Sequence, residues 1–555
     1  MRRCVLIPLA VSALLTAVVQ AQDQKFQEEQ KPAKAVEPVD MEMVAKIREE
    51  GLKHSQVMQH LFYLTEVSGP RLAGSPNFMK AANWAKGRLG EWELNNPRLE
   101  EWGELGRSWS LQKFTLEMTK PYYQPLIGYP KALVGSTPGP IKGRPIIFAS
   151  KSKEDLEKYK GKLKNAILLA RPKQSISTKF EPDARRFTRE QLLALANVGT
   201  PSGSPLALPQ KRARQLQINQ QDNASDSSKP TRRRRVSRRR GLSPATLKFL
   251  REEGIGVLLS PTSKGHDGTL FVTRGGSRTI GEKPGIPAVV MTGEHYNRLY
   301  RLVEAGIDFE VLVNIQAKLH EDDPTDYNVL AEIPGVDPEL KDEIVMMGAH
   351  LDSWHSSTGA TDNAGGCSVM MEAARILSAL DIQPRRTIRI GLWGAEETGL
   401  RGSRGYVEKN HKSGTSGHEK FSAYFNYDNG AGAIRGIRQQ GNAGVRSIFE
   451  AWLRPFHDLE AQTVSLTSGG GTDHLSFDRA GLPGFGFLQD PIHYSTRTHH
   501  SNMDGYDHVI ADDLKKSAVI IASFVYHAAM RDEKLPRKPP PKSRQPKTEK
   551  KSADQ

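Results

Sequence analysis

The 555 residues give ample length for two domains, and after the first twenty or so residues no apolar run is long enough to cross a membrane. A formal charge of +15 suggests a nucleic-acid partner, but the excess sits in two low-complexity stretches, and without them the charge is near balance; specific nucleic-acid binding is not expected. Of the two cysteines, Cys4 would leave with a cleaved leader and Cys367 would stand alone, which excludes an intramolecular disulfide.

Along the chain, residues 1–21 carry Arg2 and Arg3, an apolar run from Val5 to Val19, and Val-Gln-Ala before Gln22. That is the pattern of a secretory signal peptide, giving a secreted or periplasmic product; an uncleaved anchor is the competing reading. The Gln/Glu/Lys/Pro-rich residues 22–40 read as a linker. Helical periodicity follows at Met43, Val44 and Ile47, then at Val57, Leu61 and Leu64, and again from Ala81 to Leu89 after the turn-rich G-P-R-L-A-G-S-P of 69–76.

From about Pro121 the character changes to short β-rich pieces: Gly143–Ala149, Asn165–Ala170, Gly254–Ser260, Gly285–Met291 and Asp308–Val313. Within them, about 172–240 is a basic stretch expected to be disordered, with Arg232-Arg233-Arg234-Arg235 and Arg238-Arg239-Arg240. It reads as a solvated loop, or as a weak contact to an acidic surface such as envelope polysaccharide, lipid or nucleic acid. Residues 533–555 form a Pro/Lys-rich tail, also expected to be disordered.

The chemistry-bearing segments lie in 321–532. The apolar run Ile344–Met347 leads into His350 and Asp352, where a buried strand should end. T-D-N-A-G-G (361–366) precedes a helix-patterned stretch, placing Asp362 by a helix N-terminus. A second strand, Thr387–Trp393, delivers Glu396 and Glu397, and a third, Phe421–Tyr427, delivers Asp428. T-H-H-S-N-M-D (498–504) adds imidazoles in a polar loop, and Val519–Ala529 should close the domain as a helix. Two histidines and three carboxylates with one carboxylate left over is an inventory suited to a pair of zinc ions, since such sites take imidazole and carboxylate ligands. Taken singly, each of these residues could equally be a cap, a turn or a structural histidine.

Six motifs in order, H-L-D (350–352), T-D-N-A-G-G (361–366), E-E-T-G-L-R-G-S (396–403), N-Y-D-N-G-A-G (426–432), G-G-G-T-D-H (469–474) and H-H-S-N-M-D (499–504), resemble the M28 family of co-catalytic zinc peptidases, in its carboxypeptidase Q-like branch. The resemblance implies an α/β zinc-peptidase (phosphorylase/hydrolase-like) fold, a mixed sheet flanked by helices. It divides that domain into parts at 41–120 and 321–532 around an inserted β-rich protease-associated-like domain at 121–320.

It further implies two Zn2+ per chain, with His350 and Asp428 on one ion, Glu397 and His500 on the other, and Asp362 bridging. Glu396 would be the general base, and Asp352 would hydrogen-bond a ligand imidazole. Where many relatives have an oxyanion-stabilising tyrosine this chain has His499, so that role falls to His499 or Tyr494. Asp473 and His474 resemble a substrate-side loop or a capping turn, and Cys367 is a small packed residue.

These implications describe an exopeptidase hydrolysing short peptides or dipeptides, with a homodimer implied by the resemblance. An aminopeptidase on longer peptides is the alternative. A reading from another class is a catalytically silent binding protein using its basic loop. Imidazole and carboxylate ligands also admit cobalt or manganese.

Overall fold

The computed structural model describes residues 37–150, 152–198 and 242–539. The signal peptide, most of the linker, most of the Arg-rich stretch and the end of the tail lie outside the described residues, as do the expectations made for them.

The chain from Asp40 onward is organised on an eight-stranded sheet. Its strands along the chain are β1 (Asn95–Glu104), β2 (Thr325–Ile333), β3 (Ile344–His350), β4 (Thr387–Trp393), β5 (Phe421–Asn426), β6 (Ile434–Arg438), β7 (Thr463–Ser465) and β8 (Gly484–Gln489). In space they run β1-β2-β4-β3-β5-β8-β6-β7. The central four, β4, β3, β5 and β8, are mutually parallel, while β2 on one side and β6 on the other run against them. Strands covered on both faces must be apolar throughout, and β5 and β8 are buried at every position.

Helices Met41–Lys53, Gly365–Ala379 and Ala511–Met530 pack on one another, and the latter two also on β3; Arg401–Asn410 and His474–Arg479 pair beside β1 and β8. The closing helix is nearly twice the expected length, because Asp512 and Asp513 in its first turn favour its N-terminus and Leu514 and Ser517 are already buried.

The chain leaves this sheet after β1 and returns at β2. Between them, Gln124–Pro125, Ser108–Lys120, Glu310–His320 and Ile141–Gly143 form a four-stranded antiparallel sheet. Gly128–Pro130, Ala288–Met291, Val257–Pro261, Ile167–Leu169 and Ile146–Ile147 form a five-stranded one. Leu116, Val311, Val313, Ile167, Leu169, Val289 and Met291 share one core between them. The β-rich region therefore starts at Ser108 and not at 121: Ser108–Lys120 pairs along its whole length with Glu310–His320, burying Trp109, Leu116 and Met118.

Two segments expected to be disordered are ordered in part. Residues 172–198 reach the eight-stranded sheet: Arg185 donates its backbone N–H to Ile492 O, and Arg186 pairs with the buried Asp490 and Asp513. A capping box at Thr188 and Gln191 opens the helix Arg189–Ala196, whose Leu192 and Leu195 pack on Leu488. At the tail, Leu535 is 2% exposed, Lys538 pairs with Asp478 and Arg537 donates to Phe421 O at 3.2 Å. Basic composition hid both, because each turns on a few leucines and buried acceptors within a cationic stretch.

Candidate metal centre

Parallel strands send their carboxyl ends to one edge of a sheet, so β3, β4 and β5 deliver His350, Glu396-Glu397 and Asp428 to a common place. Asp362 arrives from the turn Ala360–Ala364 before helix Gly365–Ala379. Gly366 is obligatory there, since a Cβ would lie 2.2 Å from Asn363 Oδ1 and 2.6 Å from Tyr427 O. His500 comes from a loop far along the chain and has φ +58°, a left-handed conformation unfavourable to a side-chain-bearing residue.

Asp362 is the centre of the arrangement. His350 Nε2 lies 3.4 Å from Asp362 Oδ1 and 3.4 Å from Asp428 Oδ1. On the other side His500 Nε2 lies 3.3 Å from Asp362 Oδ2 and 2.9 Å from Glu397 Oε2. The carboxylate thus turns one oxygen to each imidazole. Burial raises the Asp362 pKa, but His350, His500 and His499 around it outweigh that and hold it far below the usual carboxylate range. Burial also drives Glu397 up to about 7 against the pull of His500, and it opposes the neighbouring carboxylates that lift His500 to about 9. His350 is likewise resisted by burial and lifted well above the ordinary imidazole value by Asp428 and Glu396.

Asp362 Oδ2 and Glu397 Oε1 are buried with no hydrogen-bond partner among the described residues. Leaving buried carboxylate oxygens unpaired is costly. A divalent cation between these N and O donors would satisfy them, so the donor set fits a metal, and the two-sided Asp362 fits two. His350, Asp362 and Asp428 form one compact donor group, and Asp362, His499 and His500 another. For the second group Glu397 is the stronger candidate: it stands 2.9 Å from His500, whereas His499 Nε2 is 3.9 Å from Asp362 and its ring stacks on that of His500 at 3.7 Å.

Glu396 projects no hydrogen bond to any described residue. Burial raises its pKa well above the ordinary value, His350 opposes, and Asp428 and Asp473 add to the rise. Asp473 is itself buried, with both oxygens unpartnered, and burial raises it to about 7. Tyr494 joins the cluster: burial and the carboxylates of Asp362, Asp428 and Glu397 keep its phenol protonated. His474 is 1% exposed and tucked against Gly469 and Gly486, and it does not join the group around Asp362.

Asp352 is placed differently from the expectation. His350 Nδ1 is 2.9 Å from the Asp352 backbone carbonyl but 3.5 Å from its carboxylate. The carboxylate instead accepts the backbone N–H groups of Glu396 (3.0 Å) and Glu397 (3.3 Å). A strand-end carboxylate is drawn to unsatisfied N–H donors at the start of a helical turn, here Glu396–Thr398.

Three supporting residues had no assigned role from sequence. Asp504 accepts the N–H groups of Thr361 (2.6 Å) and Asp362 (3.1 Å), and burial lifts it to about 7. Buried Arg71 donates to the carbonyls of Leu351, Leu64, Thr358 and Gly359, tying the strand end to the Asp362 turn. Trp354 donates its indole N–H to Glu397 Oε2 at 2.8 Å. Asp504 closes the S-N-M-D motif and Arg71 sits in a Gly/Pro-rich loop, so each carried a positional signal; Trp354 carried none. Cys367 is a buried free thiol donating to His350 O at 3.0 Å, and burial drives its pKa up to about 12, which suits a packed residue.

Residues 328–525 match the family model for peptidase family M28. Carboxypeptidase Q of Mus musculus is 32% identical over 254 residues, covering 46% of this chain and 52% of that protein. Aminopeptidase YwaD of Bacillus subtilis is 29% identical over 270 residues, 46% of this chain and 54% of that protein. The chain spans about half the length of these relatives. Among solved structures, a peptidase M28 precursor from Shewanella amazonensis superposes with a TM-score of 0.61 at 22% identity, covering 90% of this chain and 98% of that one. A zinc aminopeptidase from Bacillus subtilis superposes with a TM-score of 0.51 at 18% identity, covering 86% and 95%. At these identities the two structures show a shared fold.

Proposed function

We propose, from the match of residues 328–525 to the model for peptidase family M28, that this chain is a member of that family and an exported di-zinc exopeptidase acting on short peptides. The observation that carries the reading is the two-sided Asp362, with an imidazole and a second carboxylate on each flank. His350 and Asp428 would hold one ion, Glu397 and His500 the other, and Asp362 would bridge. Zinc held there supplies a water acidified toward neutral pH and a Lewis acid for the peptide carbonyl.

The chain's own residues supply the rest. Glu396, whose carboxyl makes no hydrogen bond among the described residues and lies beside His350, takes the proton from the attacking water and delivers it to the leaving amine nitrogen. Asp352 fixes the Glu396-Glu397 backbone, so that base and ligand are set by one carboxylate. The protonated Tyr494 phenol donates to the oxyanion formed from the scissile carbonyl. His499 stacks on His500 and fixes its ring. Asp504 and Arg71 hold the turn that presents Asp362.

Short substrates are supported by the segment 268–272, which pairs with the loop that carries His500. That segment belongs to the β-rich region, which we read as a protease-associated-like domain. Export rests on residues 1–21. None of the described helices is long and apolar enough to cross a membrane.

The test is removal of metal with a chelator and stepwise return of zinc, followed with free, N-blocked and C-blocked dipeptides. Activity that returns fully only at two equivalents supports the reading, and the blocked pair decides polarity. Activity untouched by chelation would sink it.

A further inference from the structure

The void beside Asp362 and His500 is only about 10 Å3, of the order of one water. A far larger cavity, about 1290 Å3, opens elsewhere, between helix Pro244–Glu252, the loop 274–286 and the turns at Glu104–Gly106 and Thr398–Arg401. Its walls carry Lys131, Arg171, Arg251, Arg274, Arg278, Lys283 and Arg401, against the two carboxylates Glu104 and Glu282.

Arg171 apart, none of these cations makes an ion pair among the described residues. Arg251, Arg278 and Arg401 donate only to main-chain carbonyls, those of Pro284, of Ala73 and Arg107, and of Leu105 and Glu104. Arg278 is 9% exposed and its Nε has no hydrogen-bond partner among the described residues. Burial lowers Arg278 to about 10, and burial with the nearby Arg171 lowers Lys131. Asp326 and Asp352 offset part of the charge on Arg278, but even with Glu104 and Glu282 the lining holds more cations than carboxylates, and an anionic ligand would reduce that excess.

We propose that this cavity is a binding site for a carboxylate-rich peptide segment, separate from the metal centre. Two features favour a peptide over a compact anion. The volume exceeds the roughly 300–1,000 Å3 of common small-molecule pockets. Leu242, Leu247 and Ile286 also line the cavity, giving the apolar surface that an extended chain needs. Thr398 on the wall directly follows Glu397, so the ligand would lie beside the catalytic turn.

The experiment is calorimetric titration of the zinc-loaded full chain with tetraglutamate blocked at both ends, with blocked tetraglutamine and glutarate in parallel. The wild type binds tetraglutamate saturably and more weakly as salt is raised. Lys131→Gln with Arg274→Gln weakens it at least about ten-fold while neutral dipeptide hydrolysis and the melting temperature hold. Equal binding of tetraglutamate and tetraglutamine to the wild type would overturn the proposal, whether or not the double variant folds. Glutarate binding as tightly as tetraglutamate would overturn the peptide assignment, and binding unchanged in a folded double variant would place the ligand elsewhere.

Discussion

Val272 donates its backbone N–H to the carbonyl of His500 at 3.1 Å, joining the β-rich region to a candidate metal ligand. Around that bond Asn502 donates to Leu270 O (3.2 Å), Leu270 donates to Asn502 Oδ1 (2.9 Å), and Asn502 Nδ2 donates to Gly268 O (3.2 Å). The clip joins His500, which has a positive φ, to a region outside the residues matched to the family, so the proposed second metal position would depend on that region. Asn502→Ala leaves the Leu270 N–H unpaired, which costs about 1–3 kcal/mol. We expect zinc retained on dialysis to fall from two per chain toward one, measured by atomic absorption, with the fold intact by circular dichroism. Full retention of both ions would refute the clip's role.

Asp352 acts through the backbone it holds. Asparagine there keeps the size but turns an N–H2 group toward one of the Glu396 and Glu397 amides. Asp352→Asn should lower kcat by about 10–100-fold, the usual cost of losing such support, with little change in KM. A variant that loses only KM would place Asp352 in substrate binding.

Away from the centre, Glu372 is fully buried between His60 (3.0 Å) and Arg375 (2.9 Å). Burial opposes its ionisation, but those two partners hold it at about 2 against an unperturbed 4.5. A depressed carboxylate adds stability above its unfolded pKa and loses it as pH falls through the folded one. The melting temperature should therefore drop between about pH 4.5 and 2, and Glu372→Gln should remove this component. The same substitution breaks a buried pair and should cost about 3–5 kcal/mol at neutral pH by denaturant unfolding. An unchanged pH slope in the variant would assign the acid loss to other groups.

The ordered strap 172–198 makes its own claim. Arg186→Ala removes the ion pairs with Asp490 and Asp513, although Arg435 still neutralises Asp490 at 3.1 Å. The loss in global stability should stay near about 1 kcal/mol, since Arg186 is partly exposed. Limited proteolysis should cut within 172–198 several times faster. Equal cutting rates would mean that Leu192 and Leu195 alone secure the strap.

The grouping of the candidate ligands was legible because it is built where patterns are strongest. Continuous apolar runs predicted β3, β4 and β5, and of the residues at or just past their ends the structure brings His350, Glu397 and Asp428 together with Asp362 and His500, with Glu396 near His350. The packing of single apolar residues was not legible. Trp109 and Met118 draw Ser108–Lys120 into the β-rich region, and Leu535 anchors a tail that composition reads as disordered. Asp352 shows a third limit: its place in the chain announced a supporting carboxylate, but only the folded backbone decides that it serves two amide N–H groups more than an imidazole.

The central claim is that Glu396 is the base and Glu397 a ligand, although they are adjacent and both buried. Glu396→Gln is the measurement that tests it most directly, with zinc content and dipeptide hydrolysis read on the same preparation. The account predicts two zinc ions retained and kcat reduced by at least about 100-fold, within the usual range for a lost general base. Loss of one ion from Glu396→Gln, with both retained in Glu397→Gln, would contradict it and exchange the two roles.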